Sequence, residues 1–530
     1  MWAHAACVLL QALAVTSAAI DRNLESDVKY WMENGKNLLE KKAKLKFQTN
    51  TAKNLILFMG DGMSLTTLTA ARIYKGQLKN ETGENGYLSF EHFPFTGISK
   101  TYCVDKQVAD SACSATAYLS GVKGNFGTVG VSSKVRINDC AASIVEKRPE
   151  SIMQWAQWAG KSTGIVTTAR VTHASPSGSF AHTSNRNWES DADMLRYKHE
   201  TEVDISQCED IARQLVSRDP GRNFKVIFGG GRDKFRAMKI NSTGERLDED
   251  LVAKWKRDKT DRFEGKTTRY MTTRKELLNT DVSKVDYLLG LFHDSHLEYR
   301  LKSNVEEQPT LQEMTSKAIQ ALKKDKNGFV LFVEGGLIDI AHHNTYAKFA
   351  LDETVELSKA VSEAVALTSD TDTLIVVTSD HAHTMTMAGY PARGYNVLGA
   401  TSLLAQDKLP YSTLSYANGP KTSQGRQRMN VTDRLFEKEN LQYPSFVPLE
   451  FETHGGEDVM VFARGPWAHL FTGNYEQNTI PLAMAMAAGI STESPYSSGA
   501  PSFGLQATDY EHKLIAFMLL AALGGFLRNI

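Results

Sequence analysis

Net charge is what this chain has least of: 60 lysines and arginines against 61 aspartates and glutamates leave a formal charge of -1 over 530 residues. That balance supplies no general field to attract nucleic acid or an anionic membrane face, so any anion must be recognised locally. Linkers are missing too. No Pro/Ser-rich stretch, charge block or internal repeat divides the chain, which predicts one large domain with insertions. Cysteine is scarce, at five residues, and neither a CxxC pair nor a Cys/His spacing argues for a structural zinc site. What the chain does have is 42% hydrophobic and 9% aromatic residues, enough for a large core and a globular rather than disordered or fibrous class.

The two ends predict secretion and lipid anchoring. Residues 1–19 form an apolar run ending in small residues, the pattern of a signal peptide cleaved near Ala18 or Ala19. Leu514 to Leu527 is apolar but short for a membrane span, and it follows a polar spacer and the small residues Ser497, Ser498, Gly499 and Ala500. That order is the signal for a glycosylphosphatidylinositol (GPI) anchor. Residues 20–498 are therefore expected as the mature domain, with Ser498 carrying the lipid, 499–530 removed, and the protein on the extracellular face of the cell membrane. Loss of Cys7 leaves Cys103, Cys113, Cys140 and Cys208, an even number in an oxidising compartment; disulfides are expected, with three pairings open. Asn80, Asn241 and Asn430 begin glycosylation triplets.

Short β-rich runs end in polar residues at 54–62 (NLILFMGDG), 328–336 (GFVLFVEGG) and 372–383 (DTLIVVTSDHAH), with weaker strand-like runs at 164–170, 226–231 and 458–465. Their apolar character predicts strands buried on both faces of a largely parallel sheet. Helical patterns over 304–325 and 350–370 alternate with them. The chain reads as α/β, doubly wound, with helices flanking the sheet. In such folds the functional crevice lies outside the carboxyl ends of the strands, where Asp61, Glu334, Asp339, Asp380 and His381 fall. Carboxylates brought together repel unless a cation holds them, so their convergence implies metal.

If a helix begins at Asp339, His343 follows on the same face at i+4. With His454 from THGGED these give an O,N,N set with room for water, the composition of catalytic zinc. Asp380 and His381 offer a second N/O set, while Asp61, Glu334 and a hydroxyl make an oxygen-only environment suited to magnesium. Ser111 lies in ADSACSATAYLSGVKGN, a small-residue run closed by Gly121. At a helix N-terminus the amide groups and dipole favour an anion, and metal contact lowers the serine pKa. Arg186, in HTSNRNW, carries a planar fork able to bind two phosphoryl oxygens.

Taken together, FMGDGM, DSACSATAYLSGVKGN, TTARVTHASPSGSFAHTSNRNW, FVEGGLIDIAHH, TSDHAH and ETHGGEDVMVFARGP resemble the animal alkaline phosphatases, from about Val28 to about Ala487. The resemblance implies hydrolysis of a broad range of small phosphate monoesters at alkaline pH, through a phosphoserine at Ser111, with two zinc ions and one magnesium. It assigns Asp339, His343 and His454 to the first zinc, and Asp61, Ser111, Asp380 and His381 to the second. Asp61, Ser175 and Glu334 would hold magnesium, Arg186 would clamp phosphate, and His173, His342 and His383 would line or support the site. It further implies a homodimer, a crown-like insertion over about 387–452, an N-terminal helix reaching the partner, and no nucleic-acid binding.

Several positions depart from that pattern. Ile340 stands where relatives usually have histidine, Leu337 where many have arginine, and Ser64 where a third glycine is frequent. His293 and Gln308 replace carboxylates expected for a calcium site, so calcium is not expected. Cys113 replaces a glycine, and Cys103 is near enough in sequence to form a local disulfide with it. Two other functions stay open at this level: a related phosphodiesterase, and an inactive surface receptor of the same fold. The Cys/Ser-x-Pro-x-Arg context of sulfatases is absent around Ser111.

Overall fold

The computed structural model describes residues 25–494 apart from 144–146, 202–203, 239–243, 263, 421–427, 429–430, 432, 437 and 439. The expected signal segment, Ser498 with the tail beyond it, Asn241 and Asn430 lie outside the described residues. Asn80 is exposed.

Among the described residues the first eight strands are β1 (Asn54–Gly60), β2 (Phe95–Lys100), β3 (Ser162–Arg170), β4 (Val226–Gly230), β5 (Thr268–Met271), β6 (Tyr287–Leu291), β7 (Phe329–Gly335) and β8 (Thr373–Thr378). Seven short strands follow, β9 (Ala382–His383), β10 (Met385–Met387), β11 (Ala400–Leu404), β12 (Pro410–Ser412), β13 (Leu414–Gly419), β14 (Ser445–Pro448) and β15 (His454–Gly455). Then come β16 (Val459–Arg464) and β17 (Gly473–Glu476). Ten of them form one sheet in the order β17-β2-β16-β8-β1-β7-β3-β4-β6-β5. Only β16 runs antiparallel to its neighbours, β2 and β8. This is the doubly wound, largely parallel sheet that the apolar runs predict.

The alternation of side chains explains why the central runs are apolar throughout. Ile56 and Phe58 of β1 enter one core while Leu55, Leu57 and Met59 enter the other, and Leu331 and Val333 oppose Val330 and Phe332 in β7 in the same way. A strand covered on both faces tolerates no polar alternation. The helix Ala347–Leu367 covers the first face and packs against the helices Leu311–Leu322 and Leu65–Gln77. Leu311–Leu322 begins with a reciprocal cap: Thr310 accepts from Glu313 N at 3.1 Å and Glu313 accepts from Thr310 N at 3.0 Å. The opposite face is covered in part by the helices Ser111–Ser120, Ile211–Ser217 and Thr479–Ala488.

β8, β1, β7 and β3 are consecutive neighbours and parallel, so four strand ends open side by side on one edge. Between β8 and β16 the chain leaves the main sheet to form the small sheets β10-β13-β14, β11-β12 and β15-β9. Disulfides join Cys103 to Cys113 and Cys140 to Cys208. Among the described residues no helix is long and apolar enough to cross a membrane.

One buried acid outside the strand ends makes the fold sensitive to pH. Glu353, on the helix Ala347–Leu367, is buried and accepts from Arg300 N at 2.7 Å; burial pushes it up to about 8, with Asp352 and Glu356 adding repulsion. Below the ordinary glutamate value it is neutral in both folded and unfolded chains. From there up to about 8 the folded chain keeps a proton that the unfolded chain has lost, so stability falls as pH rises. Glu353→Gln keeps the acceptor and removes the titration. Its thermal midpoint relative to the unsubstituted chain should therefore rise between pH 5 and pH 9, and an equal difference at both pH values would show that Glu353 does not carry this dependence.

Candidate metal and phosphate site

Asp61 follows β1 directly, Asp380 and His381 follow β8, Glu334 is the penultimate residue of β7, and His173 and Ser175 follow β3. β7 leads into the helix Leu337–His343, which carries Asp339 and His343 one turn apart. The β9–β15 ladder sets His454 opposite His383. Gly62 is fixed by two demands: its φ is +69°, and a Cβ there would lie 2.3 Å from the His383 ring. Its N–H donates to Asp380 at 2.9 Å.

The first group is Asp339, His343, His454 and His383. Nε2 of His343 and Nε2 of His454 each lie 3.3 Å from Asp339 Oδ1 and 3.1 Å from each other. Their Nδ1–H groups donate to the carbonyls of Glu452, at 2.5 Å, and Ala109, at 2.7 Å. With Nδ1 protonated, a neutral ring has its lone pair on Nε2, so two lone pairs and a carboxylate converge. Ligands about 2.0–2.1 Å from a tetrahedral zinc are roughly 3.3 Å apart. The donor set and its spacing thus fit a zinc-sized cation.

In the second group Ser111 Oγ donates to Asp61 at 3.4 Å and lies 3.0 Å from His381 Nε2, which is 3.2 Å from Asp380 Oδ2. All four residues have zero exposure, which makes an uncompensated pair of carboxylates costly. His381 stacks on His454 with ring centroids 3.6 Å apart, so the first two groups adjoin. The third gathers Asp61, His173 and Glu334. There Ser175 Oγ donates to the other Asp61 oxygen at 3.3 Å, and Thr167 donates to Glu334 Oε2. Glu334 Oε1 and His173 Nδ1 are buried without a protein partner, which fits a hard cation at this oxygen-rich position.

The arginine side of the site is built on Asp110. It caps the Ser111–Ser120 helix by accepting from Cys113 N at 3.2 Å, accepts from Gly127 N at 3.1 Å, and pairs with Arg186 Nη1 at 2.9 Å. Arg186 also approaches His173 Nε2, at 3.3 Å. Its charge acts on both Asp61 and Asp339.

Without a cation the site is electrostatically unbalanced. Burial, reinforced by mutual repulsion, pushes Asp61 well above the usual carboxylate range, raises Asp380 and brings Glu334 up to about 7. Burial lowers His343, His381, His342 and His173. Against burial, Glu452 and Asp339 push His383 up to about 10, while the clustered histidines hold Asp339 low. A bound cation would replace protons at these carboxylates.

Not every expected histidine joins a group. His342 links Thr67, at 3.0 Å, with Tyr416 of β13, at 2.9 Å, and its ring lies 4.8 Å from that of His383, beside the first group. Ile340 is half-buried and packs against the core, Leu337 is buried, and Ser64 caps the helix Leu65–Gln77 by accepting from Thr67 N at 3.0 Å. The Gln308 amide clamps the Glu298 backbone in both directions, at 2.8 and 2.9 Å. The His293 carbonyl accepts from Arg232 N at 3.0 Å, and neighbouring Asp294 holds the Arg232 guanidinium at 2.6 Å. Cys103, Asp110 and Cys113 also cluster, but the two sulfurs are bonded to each other.

Sequence reasoning missed Asp110 and Glu452. The signal was adjacency, since Asp110 precedes the serine and Glu452 lies two residues before His454. Glu452 is buried and accepts from His383 Nδ1 at 2.5 Å and Thr384 N at 2.7 Å, while its carbonyl holds His343. His383 Nε2 is in turn 2.7 Å from Asp339.

Buried carboxylates and imidazoles beside a serine hydroxyl, at the carboxyl edge of a parallel sheet, narrow the class to metal-assisted hydrolases of anionic esters. A model of the alkaline phosphatase family matches residues 52–490. The chain is 45% identical over 490 residues to the membrane-bound alkaline phosphatase of Bombyx mori, covering 90% of this chain and 88% of that one. It is 46% identical over 493 residues to the tissue-nonspecific alkaline phosphatase isozyme of Homo sapiens, covering 91% and 92%. The alkaline phosphatase of the Antarctic bacterium TAB5 shares the fold, with a TM-score of 0.58 at 24% identity, covering 84% of this chain and 99% of that one. The chain belongs to the alkaline phosphatase family, and it is an enzyme that hydrolyses phosphate monoesters.

Glu452→Gln should weaken the hold of the Asp339, His343 and His454 group on a divalent cation by roughly 10–100-fold, the usual cost of losing a residue that orients metal ligands. Chelator competition on the purified protein measures it. An unchanged affinity would leave the Glu452 side chain, which acts on Asp339 through His383, without an orienting role.

Proposed function

We propose that this alkaline phosphatase works with two zinc ions and one magnesium through a phosphoserine at Ser111. Asp339, His343 and His454 would hold the first zinc, Asp61, Ser111, Asp380 and His381 the second, and Asp61, Ser175 and Glu334 the magnesium. The observation that carries the reading is Ser111 Oγ, buried at a helix N-terminus and 3.0 Å from His381 Nε2, beside the Asp339, His343 and His454 group, whose spacing suits zinc. When bound, the cations supply Lewis acidity that lowers hydroxyl pKa values and offsets charge on the attacking and leaving oxygens.

The chain's residues then have separable tasks. Ser111 loses its proton and its Oγ bonds to phosphorus as the bond from phosphorus to the ester oxygen breaks, that oxygen taking up a proton to leave as the alcohol. Arg186, aimed by Asp110, binds two phosphoryl oxygens. Water then cleaves the Ser111–phosphate ester, releasing inorganic phosphate and restoring the hydroxyl. None of these tasks requires recognition of the alcohol, which supports a broad range of small monoesters.

Secretion, glycan attachment and a GPI lipid at Ser498 complete the proposal and would hold the enzyme on the extracellular side, in keeping with the membrane-bound name of the Bombyx mori relative. A homodimer is supported by the helix Val28–Ala43, which buries no residue against its own chain and exposes Val28, Trp31, Met32, Leu38 and Leu39. The exposed Tyr390 and Phe446 of the crown-like insertion support it further.

Ser111→Ala should abolish the phosphoenzyme trapped at low pH from radiolabelled phosphate; label retained on the mutant would refute the nucleophile. Arg186→Ala should keep part of the turnover while weakening phosphate inhibition by roughly 10–100-fold, a lost charge-assisted contact. Equal and total loss in both variants would contradict separate roles. Elemental analysis after dialysis should return zinc and magnesium near two to one without stoichiometric calcium, and one retained calcium per chain would overturn that part.

A further inference from the structure

The disulfide between Cys103 and Cys113 joins the loop after β2 to the first turn of the Ser111 helix, with Cα atoms 5.7 Å apart and both residues buried. Between them residues 104–108 are exposed. The loop's buried apolar contact is a cluster of Cys103, Ala109 and Cys113, separate from the two main cores. Tyr102, Val104 and Asp105 tie the first half of the loop to residues 123–126: Lys123 Nζ donates to the Tyr102 carbonyl at 3.1 Å, Val104 N to Gly124 at 3.0 Å, and Phe126 N to Asp105 at 2.8 Å. The second half ends in two groups that orient the site. The Ala109 carbonyl accepts from His454 Nδ1, and the Asp110 carboxylate pairs with Arg186.

We infer that the Cys103–Cys113 disulfide is a positioning cross-link that holds this loop in register with the nucleophile helix, so that Asp110 aims Arg186 and the Ala109 carbonyl orients His454. The inference rests on reading Arg186 as the phosphate clamp and His454 as a metal ligand. One cross-link thereby acts on both the anion side and the metal side of the site. A disulfide closing so short a loop also stabilises by restricting the unfolded chain. That effect alone would move the thermal midpoint and leave phosphate and metal affinities unchanged.

The test is a Cys103→Ala/Cys113→Ala double variant of the full chain, which leaves no free thiol in the loop. Inorganic phosphate inhibition, KM and kcat with a simple aryl phosphate, metal release to a chelating dye and the thermal midpoint are measured. The phosphate inhibition constant and KM should rise roughly three- to tenfold with a smaller change in kcat, and metal should leave faster, because a clamp displaced by a fraction of an ångström loses much of its charge-assisted geometry. In an Arg186→Ala background the double substitution should move the phosphate constant less, and an equal shift in both backgrounds would count against positioning through Arg186. A lower midpoint with unchanged phosphate inhibition, KM and metal release would overturn the cross-link's positioning role. If Arg186→Ala alone leaves phosphate inhibition unchanged, the reading of Arg186 fails instead, and metal release still tests the link to His454. Ala109→Gly keeps both cysteines while loosening the cluster, and should shift the same constants in the same direction by less; no shift there counts against the inference.

Discussion

Four buried carboxylates at neighbouring strand ends are the constraint on which the rest of this structure depends. Asp61, Glu334, Asp339 and Asp380 are each at most 2% exposed. At an effective dielectric near 20, two like charges 4 Å apart repel by about 4 kcal/mol. A parallel sheet creates the problem, because β8, β1, β7 and β3 all end on the same edge. It also supplies partial answers. Asp380 accepts from the N–H of Gly62 and of His381, and Glu334 accepts from Thr167. These donors reduce the repulsion without removing it, which is why burial still raises three of the four acids. Asp339 is the exception, and it is the one surrounded by imidazoles.

The imidazoles are in turn held by backbone more than by side chains. Carbonyls of Glu452 and Ala109 take the outer N–H groups of His343 and His454, which sets the tautomer and turns the free nitrogens inward. Both carbonyls belong to segments far from the strand ends in sequence. The site is therefore assembled at the strand ends but aimed by loops, one preceding the Ser111 helix and one preceding β16.

That division accounts for what the sequence made legible. Strands buried on both faces are written as uninterrupted apolar runs, so β1, β7 and β8, and the acids that follow them, can be read directly. Asp339 and His343 are legible because helical spacing places them on one face. Asp110 and Glu452 are not. Each looks like a helix cap or a solvated loop acid, and its role depends on partners 76 and 69 residues away, Arg186 and His383. His342 is adjacent to His343 and its ring lies beside that of His383, yet its nitrogens bond Thr67 and Tyr416 instead of converging on Asp339. Sequence adjacency reports which strand end a residue occupies and leaves open which way a helical side chain faces.

The positions that depart from the family pattern support the same separation between chemistry and framework. Ser64, Leu337 and Ile340 serve a helix cap, the core and packing against the core, respectively. Gln308 closes its loop through paired hydrogen bonds to Glu298, and Asp294 closes the neighbouring loop with Arg232. Neutral amides and an ion pair can thus brace these loops, where carboxylates facing one another would need a cation to do so. Substitution of that kind is affordable at the periphery because each loop needs only a fixed shape. At the strand ends the buried charge itself is what calls for a cation, and a neutral replacement would keep the shape while removing that demand.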